Sequence, residues 1–206
     1  MPKPILLEVF KIKAQELYES KKKEVLSRIQ AAGITRTSTK EFISDAALDI
    51  ANAILVIPRI ELLNTIDAKT EILELTQHDA RNYLNNFSFS MNQSGVYITE
   101  LKYFIKYEGD PRALDYSYNL NKRYFNLKFD KQIAELYLYF QDSGNSIQEQ
   151  MKAQRESIIN LINEDQKSLH LFFADKRNEF LIYVKNQAEL VQEELIKKHN
   201  SDQSFL

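Results

Sequence analysis

The sequence predicts an all-α fold, an elongated helical bundle closed by one long C-terminal helix over about 146–199 with coiled-coil-like pairing. Three observations predict it. Glycine and proline, the strongest breakers of a helix, occur only four times each in 206 residues. From Ser146 to His199 there is neither, a run of 54 residues. Within that run Met151, Ile158, Ile162, Leu169, Phe173, Phe180, Val184, Val191 and Leu195 keep steps of three, four or seven.

The eight breakers, Pro2, Pro4, Gly33, Pro58, Gly95, Gly109, Pro111 and Gly144, divide the chain into six expected helices forming a single domain over 1–206. The first, 5–32, carries Leu6, Phe10, Leu17, Val25 and Ile29 at helical spacing, with Glu19–Lys23 and Glu24–Arg28 as favourable pairs. Gly33 suits the position just past its end. Ser38 and Glu41 form a capping box for a second helix, 39–57, whose stripe is Ile43, Ala47, Ile50, Ile54 and Ile57. Pro58 should stop it.

A third helix is expected over 59–86, with Leu62, Ile66, Leu73, Ala80 and Leu84 on one side and a polar loop from Phe87 to Gly95. The segment 96–108 is read as helix on Leu101, Phe104 and Ile105, although Val96, Tyr97, Ile98 and Thr99 favour strand. Asp110 before Pro111 is a good N-cap for a helix over 111–142, along which Leu114, Tyr118, Phe125, Phe129, Ile133, Leu136 and Phe140 recur. Tyr124 to Phe129 also reads locally as strand. Gly144 ends this helix, and Ser146 with Glu149 caps the last.

The formal charge of −2 gives no global field that would attract nucleic acid or an anionic membrane. The absence of cysteine excludes disulfides, thiolate metal sites and a cysteine nucleophile. The first residues lack the apolar core of a signal peptide, and the longest apolar stretch, Ala46 to Ile57, is shorter than a membrane span, so a cytoplasmic protein is expected.

Catalytic and cofactor chemistry finds no motif. His78, His170 and His199 have no metal-type partner at Glu-x-x-His spacing, although Glu74 and His78 share a helical face. Four glycines cannot build a phosphate-cradling loop, and no serine has nucleophile-elbow flanks. The expectation is therefore no catalytic residue, no cofactor, no metal and no small-molecule substrate.

A helix longer than the rest of the chain can cover leads instead to a non-enzymatic structural or interaction protein. Ile158, Phe173, Phe180 and Val191 would form an uncovered stripe for self-association or a helical partner. Two alternatives stand beside it. A membrane-active protein would use the apolar segment 46–63 through Ile50, Ile54, Leu55 and Ile57. A nucleic-acid-binding protein would use Lys122, Arg123 and Lys128 within 102–131, where aromatics alternate with a surplus of basic residues.

Overall fold

The structure, a computed structural model, describes residues 6–84, 95–141 and 145–203, without the side chains of 145, 146 and 148. It is mixed α and β. In chain order it forms β1 (Leu7–Val9), β2 (Ile12–Lys13), α1 (Ala14–Ala31), α2 (Lys40–Ile54), β3 (Ile60–Leu75), the short α3 (Gln77–Ala80) and β4 (Val96–Gly109). A 3-10 turn (Pro111–Asp115) then leads to β5 (Tyr116–Ser117), β6 (Arg123–Phe125), β7 (Leu127–Asp130), β8 (Ile133–Phe140) and α4 (Asn145–Gln203).

The all-α expectation is thus corrected over the middle of the chain. The helices expected over 59–86, 96–108 and 111–142 are replaced mainly by strands, and 5–32 is helical only from Ala14. Two compact units result, 1–11 with 58–167, and 12–57 with 168–206.

The first unit is built on an antiparallel sheet of order β3-β4-β8-β7. Along β8, Ala134, Leu136 and Leu138 are buried at alternate positions, a period of two. The helical reading of 111–142 had instead linked Phe129, Ile133, Leu136 and Phe140. Along β4, Leu101, Tyr103 and Ile105 are buried in the same way, and the β-branched start at Val96 to Thr99 does form strand. These residues, with Ile60, Leu62 and Leu127, pack on Ile147, Met151 and Ile162 of α4.

One end of β4 requires glycine. Gly109 has φ +100°, and a Cβ there would lie 2.0 Å from the Arg59 carbonyl oxygen. Beside it, Asp110 N donates to Arg59 O at 2.7 Å. Positive φ also occurs at residues other than glycine: Phe10 at 59°, and Lys131 and Gln132 at 39° and 72° in the turn between β7 and β8.

Three polar residues of α4 serve irregular backbone in this unit. The β3–β4 ladder shifts register after Leu62, and Asn163 takes both backbone groups of that residue, accepting from its amide at 2.9 Å and donating to its carbonyl at 2.7 Å. Asp165 accepts from Ser117 Oγ at 2.9 Å and from Tyr118 N at 3.1 Å. Gln166 Nε2 donates to the carbonyls of Ala113 and Tyr116 at 3.2 and 3.1 Å. Buried backbone that no ladder pairs must find partners of this kind.

The second unit is helical. Tyr18, Val25 and Ile29 of α1, Ile43, Ala47 and Ile54 of α2, and Phe180, Val184 and Ala188 of α4 are all buried. Tyr18 is its aromatic centre, with its ring centroid 6.1, 6.3 and 5.7 Å from those of Phe172, Phe173 and Phe180. Its hydroxyl donates to Glu179 at 3.2 Å, and burial together with that carboxylate pushes the phenol up to about 12.

Helix α1 ends before Gly33, whose φ of +71° is the left-handed turn anticipated there. The cap of α2 differs by one residue from the expected Ser38. Thr39 accepts from Phe42 N at 3.2 Å, while Ser38 Oγ accepts from Thr35 N in the preceding loop. Gln192 of α4 donates to Ser38 O at 2.8 Å and fastens that loop.

Candidate functional site

Alternation along β4 gives the sheet a second face. Opposite the buried Leu101, Tyr103 and Ile105 stand Glu100, Lys102, Phe104 and Lys106. Register brings Lys69 of β3 opposite Lys102, Tyr137 of β8 opposite Lys102, Glu135 opposite Phe104, and Lys128 of β7 opposite Glu135. Residues between 69 and 137 in sequence thereby meet on one patch.

The patch has a fixed polar centre. Lys102 Nζ lies 2.9 Å from Glu135 Oε2, and Tyr137 donates to the same oxygen at 2.5 Å. The Lys102 ammonium sits 4.9 Å from the Phe104 ring centroid and 5.1 Å from that of Tyr137. Lys69 approaches Phe104 at 5.4 Å and forms no ion pair among the described residues. Two ammonium groups therefore flank one half-exposed ring, and only one has a carboxylate.

Toward α3 the same face closes over. Val96 and Ile98 pack with Leu75, Ala80 and Tyr139. The Tyr83 and Tyr139 rings meet edge-on at 4.9 Å.

Titration behaviour follows from these contacts. Burial pulls Lys102 down, but the hydrogen bonds and charge of Glu135 and Tyr137 outweigh it and hold the ammonium above its usual range. Burial likewise raises Glu135, yet Tyr137 and Lys102 bring the carboxyl below its ordinary value. Desolvation and Glu135 push Tyr137 up, and desolvation with Glu100 does the same to Tyr139. Glu100 alone moves toward neutrality, raised by burial against the hydrogen bond from Tyr139.

No family model, curated protein or solved structure matches the chain.

The residues anticipated from sequence are placed apart from it, with one exception. Phe173 and Phe180 are buried against Tyr18, and Val191 is partly buried. Ile158 packs on the core beneath the sheet. Phe173, Phe180 and Ile158 thus do not belong to the uncovered stripe that motivated coiled-coil pairing and an oligomer, because the chain's own residues pack against them.

Ile50 and Ile54 are buried in the core of the helical unit, and Leu55 and Ile57 are half-buried beyond the end of α2. No helix among the described residues is long and apolar enough to cross a membrane. Lys122 is paired with Glu8, and Arg123 faces Val9 in the β1–β6 pair. Lys128 is the exception: register sets it beside Glu135 on the patch.

Glu74 and His78, weighed as half a metal site, do not share a helical face, because Glu74 lies in β3 and His78 in α3, and no group of three metal-capable side chains occurs among the described residues. In the sequence Lys102 and Phe104 stand out only as members of a basic, aromatic region, and nothing there marks Lys69, Glu135 or Tyr137. The available signal was the alternation of polar and apolar residues from Glu100 to Lys106, which a helical reading of that segment hides.

Proposed function

We propose that the protein is a non-enzymatic binding protein whose contact surface is the open sheet face around Lys69, Phe104 and Lys102, and that this face receives an acidic segment of a protein partner. One observation carries the reading. Lys69 and Lys102 stand directly opposite each other on neighbouring strands, and Glu135 neutralises only Lys102. Like charges in register cost a sheet stability, and a partner carboxylate at Lys69 would offset that cost. The Phe104 ring beside it offers apolar contact to the same partner.

Three further points support binding over catalysis or nucleic-acid recognition. Catalytic acids and bases are tuned toward the working pH, whereas the hydrogen-bonded centre of Lys102, Glu135 and Tyr137 is moved away from neutrality and Glu100 alone of the face moves toward it. Carboxylates at Asp67, Glu71, Glu100 and Glu135 interrupt the lysines, which opposes the continuous basic track of a nucleic-acid surface. The groups are also held in place by one another before any partner arrives, which lowers the ordering cost of association.

The test uses the full chain and two variants, Lys69→Glu and Phe104→Ala. A labelled peptide of alternating glutamate and leucine should bind the wild type with an affinity that falls with salt, and Lys69→Glu should weaken it severalfold. Proteins recovered from cell extract by the wild type should be depleted by both variants at unchanged unfolding midpoints. Equal recovery by wild type and Lys69→Glu, with equal peptide binding, would overturn the proposal.

A further inference from the structure

The helical unit contains a cleft of about 370 Å³. On α4, His170, Phe173, Ala174 and Arg177 follow the spacing i, i+3, i+4, i+7 and so share one side of the helix. Asn52 and Leu55, at the end of α2, form the other wall. Phe173 is buried at the floor and Leu55 is half-buried, while Arg177 and Asn52 stand at the exposed rim. Leu55, Ile57 and Phe173 give the cleft its apolar lining, His170 lies among them, and Arg177 adds a cation at the exposed edge.

Arg177 decides the ligand class. One of its terminal nitrogens donates to Asn52 Oδ1 at 2.7 Å, which holds the guanidinium at the rim. No carboxylate pairs with it among the described residues, although Asp175 lies two positions before it and Asp49 three positions before Asn52. A guanidinium has five N–H donors in a fixed fork and matches a carboxylate two-pronged. Most of that fork is still unused here.

We infer that this cleft binds a small organic monoanion, a single carboxylate on a short apolar body. The carboxylate takes the free edge of Arg177, and the body covers Phe173 and Leu55. The carbonyls at the C-terminal end of α2 disfavour an anion placed against them, so the carboxylate stays at the mouth of the cleft, on the Arg177 N–H groups that Asn52 does not use. The volume lies near the lower limit of ligand pockets, about 300 Å³, which restricts the body to a few carbons or one ring. This site is separate from the sheet face and does not depend on the reading given for it.

Calorimetric titration of the full chain with hexanoate, hexan-1-ol and hexylammonium tests the inference. Hexanoate should bind saturably at one site, with hexanol and hexylammonium about tenfold weaker or worse, since the hydrogen bonds to a charged group are lost. Arg177→Gln should reduce hexanoate affinity about tenfold or more and leave hexanol unchanged. Ala174→Trp, at an exposed helical position, should fill the cleft and abolish binding without lowering the unfolding midpoint. No saturable hexanoate binding at its solubility limit would overturn the inference. So would hexylammonium binding as well as hexanoate, or hexanoate affinity unchanged in both variants.

Discussion

Lys102 and Glu135, 33 positions apart in the chain, meet at 2.9 Å because β4 and β8 pair antiparallel, and Tyr137 closes the contact by donating to the same carboxylate oxygen. The pair is partly shielded from water, with side chains 25% and 17% exposed. Replacing Glu135 by Gln should cost about 1 kcal/mol in urea unfolding at pH 7. The carboxyl is held below its unfolded value, so its contribution is present above about pH 4.3 and is lost as pH falls through the folded pKa. Acid titration of the unfolding midpoint should therefore fall more steeply in the wild type than in Glu135→Gln.

Tyr18 should be among the last phenols to ionise. With its folded pKa pushed up to about 12 against about 10 for an unfolded tyrosine, its contribution is complete below pH 10 and disappears as pH rises toward 12. Absorbance titration near 295 nm should show a late component in the wild type that Tyr18→Phe removes. Tyr18→Phe keeps the ring contacts and should cost about 1 kcal/mol. Tyr18→Ala empties the centre of the helical unit and should cost about 3–5 kcal/mol.

Asp165 gives the opposite acid behaviour to Glu135. Burial raises its carboxyl above the usual range, against the lowering bonds from Ser117 and the backbone of Tyr118 and Asn119. Its stabilising contribution is therefore largest at low pH and declines as pH climbs from about 3.9 through the folded value. The stability of Asp165→Asn relative to wild type should improve between pH 3.5 and pH 7 when urea midpoints are compared. A relative change in the other direction would contradict the burial argument.

Gly109→Ala should destabilise by more than about 1 kcal/mol, because the position combines positive φ with a carbonyl where the new methyl would lie. Gly33→Ala provides the comparison. It shares the positive φ but has open space around the added carbon, so its loss should be smaller. Thermal unfolding of the two variants side by side separates backbone strain from collision.

The three long helical segments were legible because their cores repeat with the helical period: Val25 and Ile29, Ile43 with Ala47 and Ile50, and Phe173, Phe180 and Val184. The sheet was not, and the scarcity of glycine is the reason. Few glycines suggested few turns, yet the β7–β8 turn places Lys131 and Gln132 in left-handed conformations themselves. Between Leu114 and Phe140 the apolar residues are dense enough to satisfy either period, and only pairing with β4 selects two. The patch was hidden for the same reason. Lys69, Lys102 and Glu135 become neighbours through strand register, which local sequence does not encode.

The grip of Asn163 on Leu62 has an evolutionary consequence. Asn163 hydrogen-bonds to main-chain groups of position 62, so these bonds do not depend on the side chain there. The two positions should drift under unequal constraint. Leu62 can be exchanged for other apolar residues that fill its place in the core, whereas few residues can replace an amide that must accept at one atom and donate at the other. Related sequences should vary at 62 and hold asparagine at 163.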